Sequence, residues 1–341
     1  MSAGSAPPRP APGLGLARRF FEQVVEPLVQ AAFDLPFAAA LIGDGSEVLG
    51  FDDSISRDHE WGPRVLLFLS GADHPRRAAA ILDLLEAGLP DRFEGCPVRF
   101  PDQDRITRLD IDGGLGGSES HGVEVHTLAG WIRRQLGADL AHRDPLASEW
   151  RQLDEQKLLS VTAGEVFRDD LGELDSLRRR LSFFPLDLRL ERMADLWSNA
   201  AAEMPFVGRA GDAGDEPGSR ILAARLAEQA MRLCFLVDGR YAPYSKWFGT
   251  AWAGLPSAPL LRPHLDSALA APGWREREAA LGAAFASVAR RHLETGLPGR
   301  FEPLLSNYFS RPYRVINADE IAASIRSEIG NPPEGDEGGD R

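Results

Sequence analysis

The chain has 341 residues, 43% hydrophobic and 26% charged, a composition typical of a globular protein. Its formal net charge of −13 disfavours a nucleic-acid substrate, because such a surface repels a phosphate backbone unless it carries a basic groove. The two cysteines, far apart in sequence, exclude a disulfide framework and a Cys/His zinc site. The sequence contains neither a membrane-spanning apolar run nor the apolar core of a signal peptide, so we expect a cytoplasmic protein without a membrane partner.

The first part of the chain contains both helical and strand patterns. Apolar positions at helical spacing predict an entry helix over residues 16–33. Apolar or alternating runs predict strands in PFAAALIG, PRVLLFLS and HGVEVHTL, and HPRRAAAILDLLEAGLP predicts a helix. Shorter candidate strands lie in RFEGCPVRFPDQD and RITRLDIDGG. We therefore expect an α/β sheet domain over residues 16–140.

Beyond this domain the patterns become helical. Segments such as DLRLERMADLWSNAAAEM and WREREAALGAAFASVARRHLE predict a helical bundle over residues 141–328, with an internal loop at residues 208–219. The fold class is thus predicted to be α+β, with an N-terminal mixed sheet and helices followed by a C-terminal helical bundle. We expect a flexible leader at residues 1–15 and a disordered acidic tail at residues 329–341.

An acidic segment, GSEVLGFDDSISRDHEW, lies between the first two predicted strands. Asp58 and Glu60 are two positions apart, so both side chains project from the same face of an extended strand. Mg²⁺ prefers such oxygen ligands and completes its octahedron with phosphate oxygens. Gly45 and Ser46 follow the first strand, where N–H and hydroxyl groups can bind a phosphate that approaches closely. The alternative is a solvated acidic turn, and we interpret the intervening Asp52-Asp53 as loop residues.

This arrangement resembles the signature of the DNA polymerase beta superfamily of nucleotidyltransferases. That signature has an apolar residue, Gly-Ser or Gly-Gly, a spacer, and then Asp, an apolar residue and Asp or Glu. In this chain Asp44 stands where an apolar residue is commoner, and His59 is more polar than usual. The resemblance implies a nucleotidyltransferase-type sheet, metal ions on the paired carboxylates, and the β- and γ-phosphates at the Gly-Ser turn.

The second half carries two further resemblances. LCFLVDGRYAPYSKWFGTAWAGLP, residues 233–256, resembles the helical domain of aminoglycoside-type nucleotidyltransferases. The shared positions are Gly239, Ser245-Lys246, Ala251-Trp252 and Leu255-Pro256. TAGEVFRDDLGEL, FVGR, YAPYSKW and RPYRVI resemble an uncharacterised bacterial family, domain of unknown function 4037, over about residues 20–325. The chemistry of that family is unassigned, so this resemblance supports the fold more than a reaction.

Polymerase-like sites generally add a third carboxylate from a neighbouring strand. We predict Glu124 for this role, because a charge between two valines of a buried-looking strand needs a reason. Asp110 and Asp112 are the runners-up, and the structural alternative is that Glu124 faces solvent on an edge strand. By resemblance to the Ser-Lys lysine of the aminoglycoside enzymes, Lys246 is expected to contact the triphosphate; the alternative is an ordinary surface lysine.

Other side chains are candidates by residue type. Tyr241 and Tyr244 can stack on a base, although packing is the favoured interpretation. Three carboxylates are candidate general bases by type only: Glu165, Asp169 and Asp170. For these we favour a β-turn at residues 170–172, and we expect the acidic pair at residues 215–216 to cap a helix.

These interpretations predict a magnesium-dependent nucleotidyltransferase. It would move a nucleoside monophosphate from a nucleoside triphosphate, with ATP as the expected donor, to a hydroxyl of a small molecule or protein. The helical domain would close the cleft and present this unidentified acceptor. The alternative is a catalytically weak or inactive module of the same fold that binds or regulates, for example as a toxin–antitoxin-like partner. Nucleotidylation of RNA is a weaker third hypothesis, because it requires a basic groove.

Overall fold

The computed structural model describes residues 12–52, 61–100 and 120–330. The chain divides into two compact units, residues 1–182 (unit 1) and residues 183–341 (unit 2). Unit 1 combines a mixed sheet with helices and unit 2 is mainly helical, which confirms the predicted α+β class. Among the described residues, no helix is both long and apolar enough to cross a membrane.

Unit 1 contains both helices and strands. Its helices are α1 (Pro12–Phe20), α2 (Glu26–Ala32), α3 (His74–Gly88), α4 (Leu128–Leu136), α5 (Ala147–Gln152), α6 (Glu155–Thr162) and α7 (Glu173–Arg180). A π-helical turn, Phe21–Val25, joins α1 to α2. Its strands are β1 (Phe37–Leu41), β2 (Val65–Leu69), β3 (Arg92–Phe93), β4 (Cys96–Pro97), β5 (Arg99–Phe100), β6 (Ser120–His121), β7 (Val123–Thr127) and β8 (Glu165–Asp169).

The central sheet has the strand order β7-β2-β1-β8. Strand β1 is antiparallel to both of its neighbours, whereas β2 and β7 are parallel. Every residue of β1 and β2 is buried, which fits the uninterrupted apolar runs FAAAL and VLLFL. Strands β7 and β8 form the edges and contain the polar side chains of the sheet.

The two faces of the sheet pack against different helices. One face belongs to the main core of unit 1, where Ala39, Leu67 and Val125 pack with apolar residues of α1, α2 and α3. On the opposite face, Phe68 of β2 packs edge-on against Trp131 of α4, with ring centroids 5.7 Å apart. Because side chains alternate along a strand, Glu124 lies on the face opposite to Val125.

The division between the units lies later in the chain than the predicted boundary at residues 140/141. Strand β8 pairs with β1, so the segment that follows α4 completes the sheet of unit 1. Arg178 of α7 donates hydrogen bonds to the carbonyl oxygens of Thr162, Ala163 and Gly164, at distances between 2.7 and 3.2 Å. Helical patterning alone could not reveal that the helices after α4 belong to unit 1 and lie, in sequence, on either side of a strand, β8, that pairs with β1.

The start of α1 also differs from the prediction. Pro12 to Gly15 are helical, although they fall in the segment expected to be a flexible leader. Asp52 Oδ2 accepts hydrogen bonds from the backbone N–H of Gly13 and from Trp61 Nε1, each at 2.9 Å. A carboxylate at a helix N-terminus satisfies a donor that the helix itself leaves unpaired. Asp52 is therefore a loop residue, as predicted, and it holds the first turn of α1.

Unit 2 contains long helices and one β-hairpin. Its elements are α8 (Leu186–Asp212), α9 (Glu216–Val237), α10 (Ser245–Ala253), α11 (Ala258–Ala270), α12 (Trp274–Glu294), β9 (Leu305–Asn307), β10 (Arg314–Ile316) and α13 (Ala318–Ser327). Strands β9 and β10 pair antiparallel, a feature that helical patterning did not predict. Trp197 and Phe285, from α8 and α12, pack with their ring centroids 5.6 Å apart.

The loop predicted at residues 208–219 is mostly helical. Helix α8 continues to Asp212 and α9 begins at Glu216. A Cβ atom on Gly211 would overlap Trp274 at the start of α12. The glycines of α8 therefore permit close helix packing, which a sequence pattern cannot distinguish from a loop. Asp215 caps α9 by accepting a 2.9 Å hydrogen bond from Gly218 N–H, as predicted.

Candidate functional site

The predicted phosphate turn lies at one end of the central sheet. In the sheet register, Ala40 pairs with Leu66, and Leu66 pairs with Glu124. Because β1 is antiparallel to β2, its final residues lie beside the first residues of β2. The Gly-Ser turn that follows β1, the residues that precede β2, and Glu124 near the start of β7 therefore share one end of the sheet.

The turn over residues 43–50 requires glycine at several positions. Gly43, Gly45 and Gly50 have φ angles of 97°, 138° and 75°, which favour glycine. Phe51 N–H donates to Ser46 O at 2.9 Å and closes the turn. Gly43 N–H donates to Ser160 O at 2.9 Å, which ties the start of the turn to α6. The strand is thus followed by a tight backbone turn held against a helix.

A buried ion pair lies behind this turn. The side chains of Glu47 and Arg64 are 1% and 8% exposed, and the guanidinium donates to the carboxylate. Arg64 Nη2 also donates to Asp44 O at 3.1 Å. A Cβ atom on Gly45 would lie 2.6 Å from Arg64 Nη2 and 2.8 Å from Glu47 Oε2. Gly45 thus permits the turn to pack directly on the ion pair.

Neither member of this pair was predicted from the sequence. A signal exists for Arg64, because it directly precedes the fully buried strand VLLFL, where an arginine needs a partner. Glu47 has no such signal, since an acidic residue in a Gly-rich turn normally faces solvent. In the structure, the burial of Glu47 and the close packing of Gly13 of α1 against it show that this part of the turn faces inward.

Glu124 belongs to a hydrogen-bonded series on the edge strand β7. Its side chain is 24% exposed, and Glu124 Oε2 lies 2.8 Å from His126 Nε2. Arg134 Nη2 of α4 lies 2.9 Å from His126 Nδ1. Arginine only donates, so Nδ1 accepts and Nε2–H donates to Glu124. Strand β7 is at the edge of the sheet among the described strands, but Glu124 does not simply face solvent, because His126, which the sequence did not single out, orients its carboxylate.

The two principal predicted metal ligands, Asp58 and Glu60, lie outside the described residues, as do Asp53, Asp110 and Asp112. Within the described ranges, no group of three His, Cys, Asp or Glu residues is placed to hold a metal ion. Glu124 fits a Mg²⁺ site by its chemistry, as a half-buried carboxylate oriented by a neighbouring donor. The metal site therefore stays a prediction.

The predicted residues in unit 2 differ in their surroundings. Lys246, near the start of α10, is exposed, with Nζ 4.8 Å from the centroid of the Trp247 ring. Tyr241 is 5% exposed, and its ring centroid lies 5.1 Å from Phe183 and 4.9 Å from Phe184. This confirms packing for Tyr241. Tyr244, in contrast, is 47% exposed.

The carboxylates considered as general bases have structural partners. Glu165 accepts a 2.6 Å hydrogen bond from Arg18, and Asp169 accepts one from Asp175 N–H at 3.0 Å. Asp170 pairs with Arg168, which lowers the pKa of the aspartate. Asp170 also begins the turn between β8 and α7, which confirms the favoured interpretation of this segment. The contacts of Glu165, Asp169 and Asp170 therefore stabilise strand β8 at the edge of the sheet.

Comparison with known proteins confirms one of the resemblances over part of the chain. Residues 150–248 match Domain of unknown function (DUF4037). The DUF4037 match covers less than half of the chain; it begins in α5 and ends in α10, and it includes β8 and Lys246. A comparison with curated proteins gave no match.

One solved structure is also similar to this chain. It is the crystal structure of a nucleotidyltransferase-like protein from Exiguobacterium sibiricum 255-15, at 12% sequence identity and a TM-score of 0.33. The alignment covers 82% of this chain and 77% of that chain.

Proposed function

We propose that this protein is a magnesium-dependent nucleotidyltransferase. It would transfer a nucleoside monophosphate from a nucleoside triphosphate, with ATP as the expected donor, to a hydroxyl of a small molecule or protein. Asp58, Glu60 and Glu124 would hold Mg²⁺, and the turn at Gly45-Ser46 would bind the β- and γ-phosphates. Bound Mg²⁺ would neutralise the triphosphate and polarise the α-phosphate. By resemblance, Lys246 of unit 2 is a candidate nucleotide-binding residue.

The observation that carries this proposal is the backbone turn after β1. Among the described residues, no protein acceptor receives a hydrogen bond from the N–H groups of Asp44 and Gly45. On a partly exposed turn such donors are left for water or for an anion. Successive N–H groups in a glycine-rich turn are a common way to bind phosphate oxygens. Glu124, near the start of β7, supplies a carboxylate at the same end of the sheet.

The direct test measures pyrophosphate released from ATP in the presence of Mg²⁺. Asp58→Ala and Glu60→Ala are expected to lower this rate at least about 100-fold. Loss of a residue that merely hydrogen-bonds to a metal ligand already lowers activity by up to about 100-fold, and loss of the ligand itself should lower it at least as much. Asp53→Ala is the matched control, since it removes a neighbouring carboxylate that we interpret as a loop residue. Equal turnover in wild type and both ligand variants would exclude the proposed reaction at this site.

A binding or regulatory module is the second candidate. Two observations favour it: Glu124 Oε2 is already bonded to His126, and Asp44 occupies a position where an apolar residue is commoner. Such a module would bind ATP and Mg²⁺ without releasing pyrophosphate. A rise in melting temperature with ATP and Mg²⁺, in a preparation that shows no turnover with a range of hydroxyl acceptors, would support the module over the enzyme.

A further inference from the structure

An exposed ion pair lies beside the Gly-Ser turn. Lys157 Nζ of α6 is 3.2 Å from Asp44 Oδ1, with the two side chains 40% and 59% exposed. The same helix accepts the hydrogen bond from Gly43 N–H at Ser160 O, three residues further on. Helix α6 is thus anchored to the turn, and this anchor holds Lys157 beside it.

Asp44 lies between this lysine and the buried guanidinium. Its carbonyl oxygen accepts from Arg64 Nη2 at 3.1 Å, while its carboxylate contacts Lys157. The backbone of Asp44 is therefore fixed from the buried side, and its side chain is held on the exposed side. Among the described residues, the backbone N–H groups of Asp44 and of the adjacent Gly45 donate to no protein acceptor. Two backbone donors and the ammonium group of Lys157 therefore lie at the same stretch of the turn, in which Asp44 is exposed.

We propose that Lys157 contacts the polyphosphate of the nucleotide at this turn, and that Asp44 competes with the nucleotide for the lysine. This inference rests on the proposed function, which places the triphosphate at Gly45-Ser46. The contact between Lys157 and Asp44 is a weak one, because both groups are exposed and screened by solvent. A polyphosphate carries more charge and more acceptor oxygens than one carboxylate, so it displaces Asp44 from the lysine.

The proposal predicts opposite effects for the two members of the pair. Lys157→Met keeps the length of the side chain and removes its charge, so it should weaken the binding of ATP and of inorganic tripolyphosphate by about tenfold. Asp44→Asn removes the competing charge and should tighten binding of both ligands several-fold. Because the pair is exposed, neither substitution should change the melting temperature appreciably.

The test is isothermal titration calorimetry of the full chain with ATP and with tripolyphosphate, in EDTA and at low ionic strength. Omitting Mg²⁺ isolates the phosphate contacts from the metal site, and low salt preserves electrostatic differences. Arg232→Met is the matched control, because it removes a cation of similar exposure that also pairs with a carboxylate, Glu228, but lies in unit 2. Adenosine serves as a ligand without phosphate, whose affinity Lys157→Met should not alter.

The outcomes separate this inference from the function on which it rests. Weaker binding in Lys157→Met together with tighter binding in Asp44→Asn supports the proposal. If the wild type binds ATP and Lys157→Met binds it equally well, this inference is wrong and the proposed function stands. Unchanged or weaker binding in Asp44→Asn overturns the competition. If the wild type binds neither ATP nor tripolyphosphate in EDTA, this inference is wrong, whereas the proposed function is overturned only by the pyrophosphate assay with Mg²⁺.

Discussion

At the scale of the residue, Gly45 shows how the buried ion pair constrains the turn. Gly45→Ala would place a Cβ atom against both charged groups at a φ of 138°, so we expect a loss of about 2 kcal/mol or more in unfolding free energy. Gly50→Ala is the control, because Gly50 also has a positive φ, 75°, but has no atom within 4 Å of its Cβ position. Urea unfolding measures both; equal losses would show that contact with the pair does not matter.

At the scale of the element, close packing of α8 on α12 depends on glycine. Gly211→Ala would overlap the side chain of Trp274, and such overpacking costs about 1–3 kcal/mol. Gly249, inside α10, has no atom within 4 Å of its Cβ position, so Gly249→Ala should stabilise by up to about 1 kcal/mol. The melting temperature should therefore fall in Gly211→Ala and rise in Gly249→Ala. A higher melting temperature in both variants would contradict the packing described for α8.

At the scale of the whole molecule, the division at residues 182/183 predicts where unit 1 can be separated. A fragment over residues 12–182 retains β8 and the hydrogen bonds of Arg178, so it should show a cooperative thermal transition by circular dichroism. A fragment ending at residue 140 lacks β8 and exposes a hydrogen-bonding edge of the buried strand β1, so it should aggregate or unfold without cooperativity. Equal cooperativity in both would place the boundary where sequence patterning put it.

The sequence by itself determined the elements whose pattern is local. The apolar runs of β1 and β2, the helix α3, the cap at Asp215 and the turn after β8 all follow from neighbouring residues, and the structure has each of them. The Gly-Ser turn was predicted in the same way, because glycine and a preceding apolar strand are features of adjacent positions.

Only the tertiary structure decided the features that join distant residues. The pair of Glu47 with Arg64, the contact of Asp44 with Lys157 and the orientation of Glu124 by His126 each depend on how strands and helices meet. The late end of unit 1 has the same origin, since β8 pairs with a strand more than a hundred residues earlier. The sequence predicted a phosphate turn after β1 from adjacent residues. It could not predict which charged side chains surround that turn, because the position of a charged residue in the sequence carries no periodic signal for its partner.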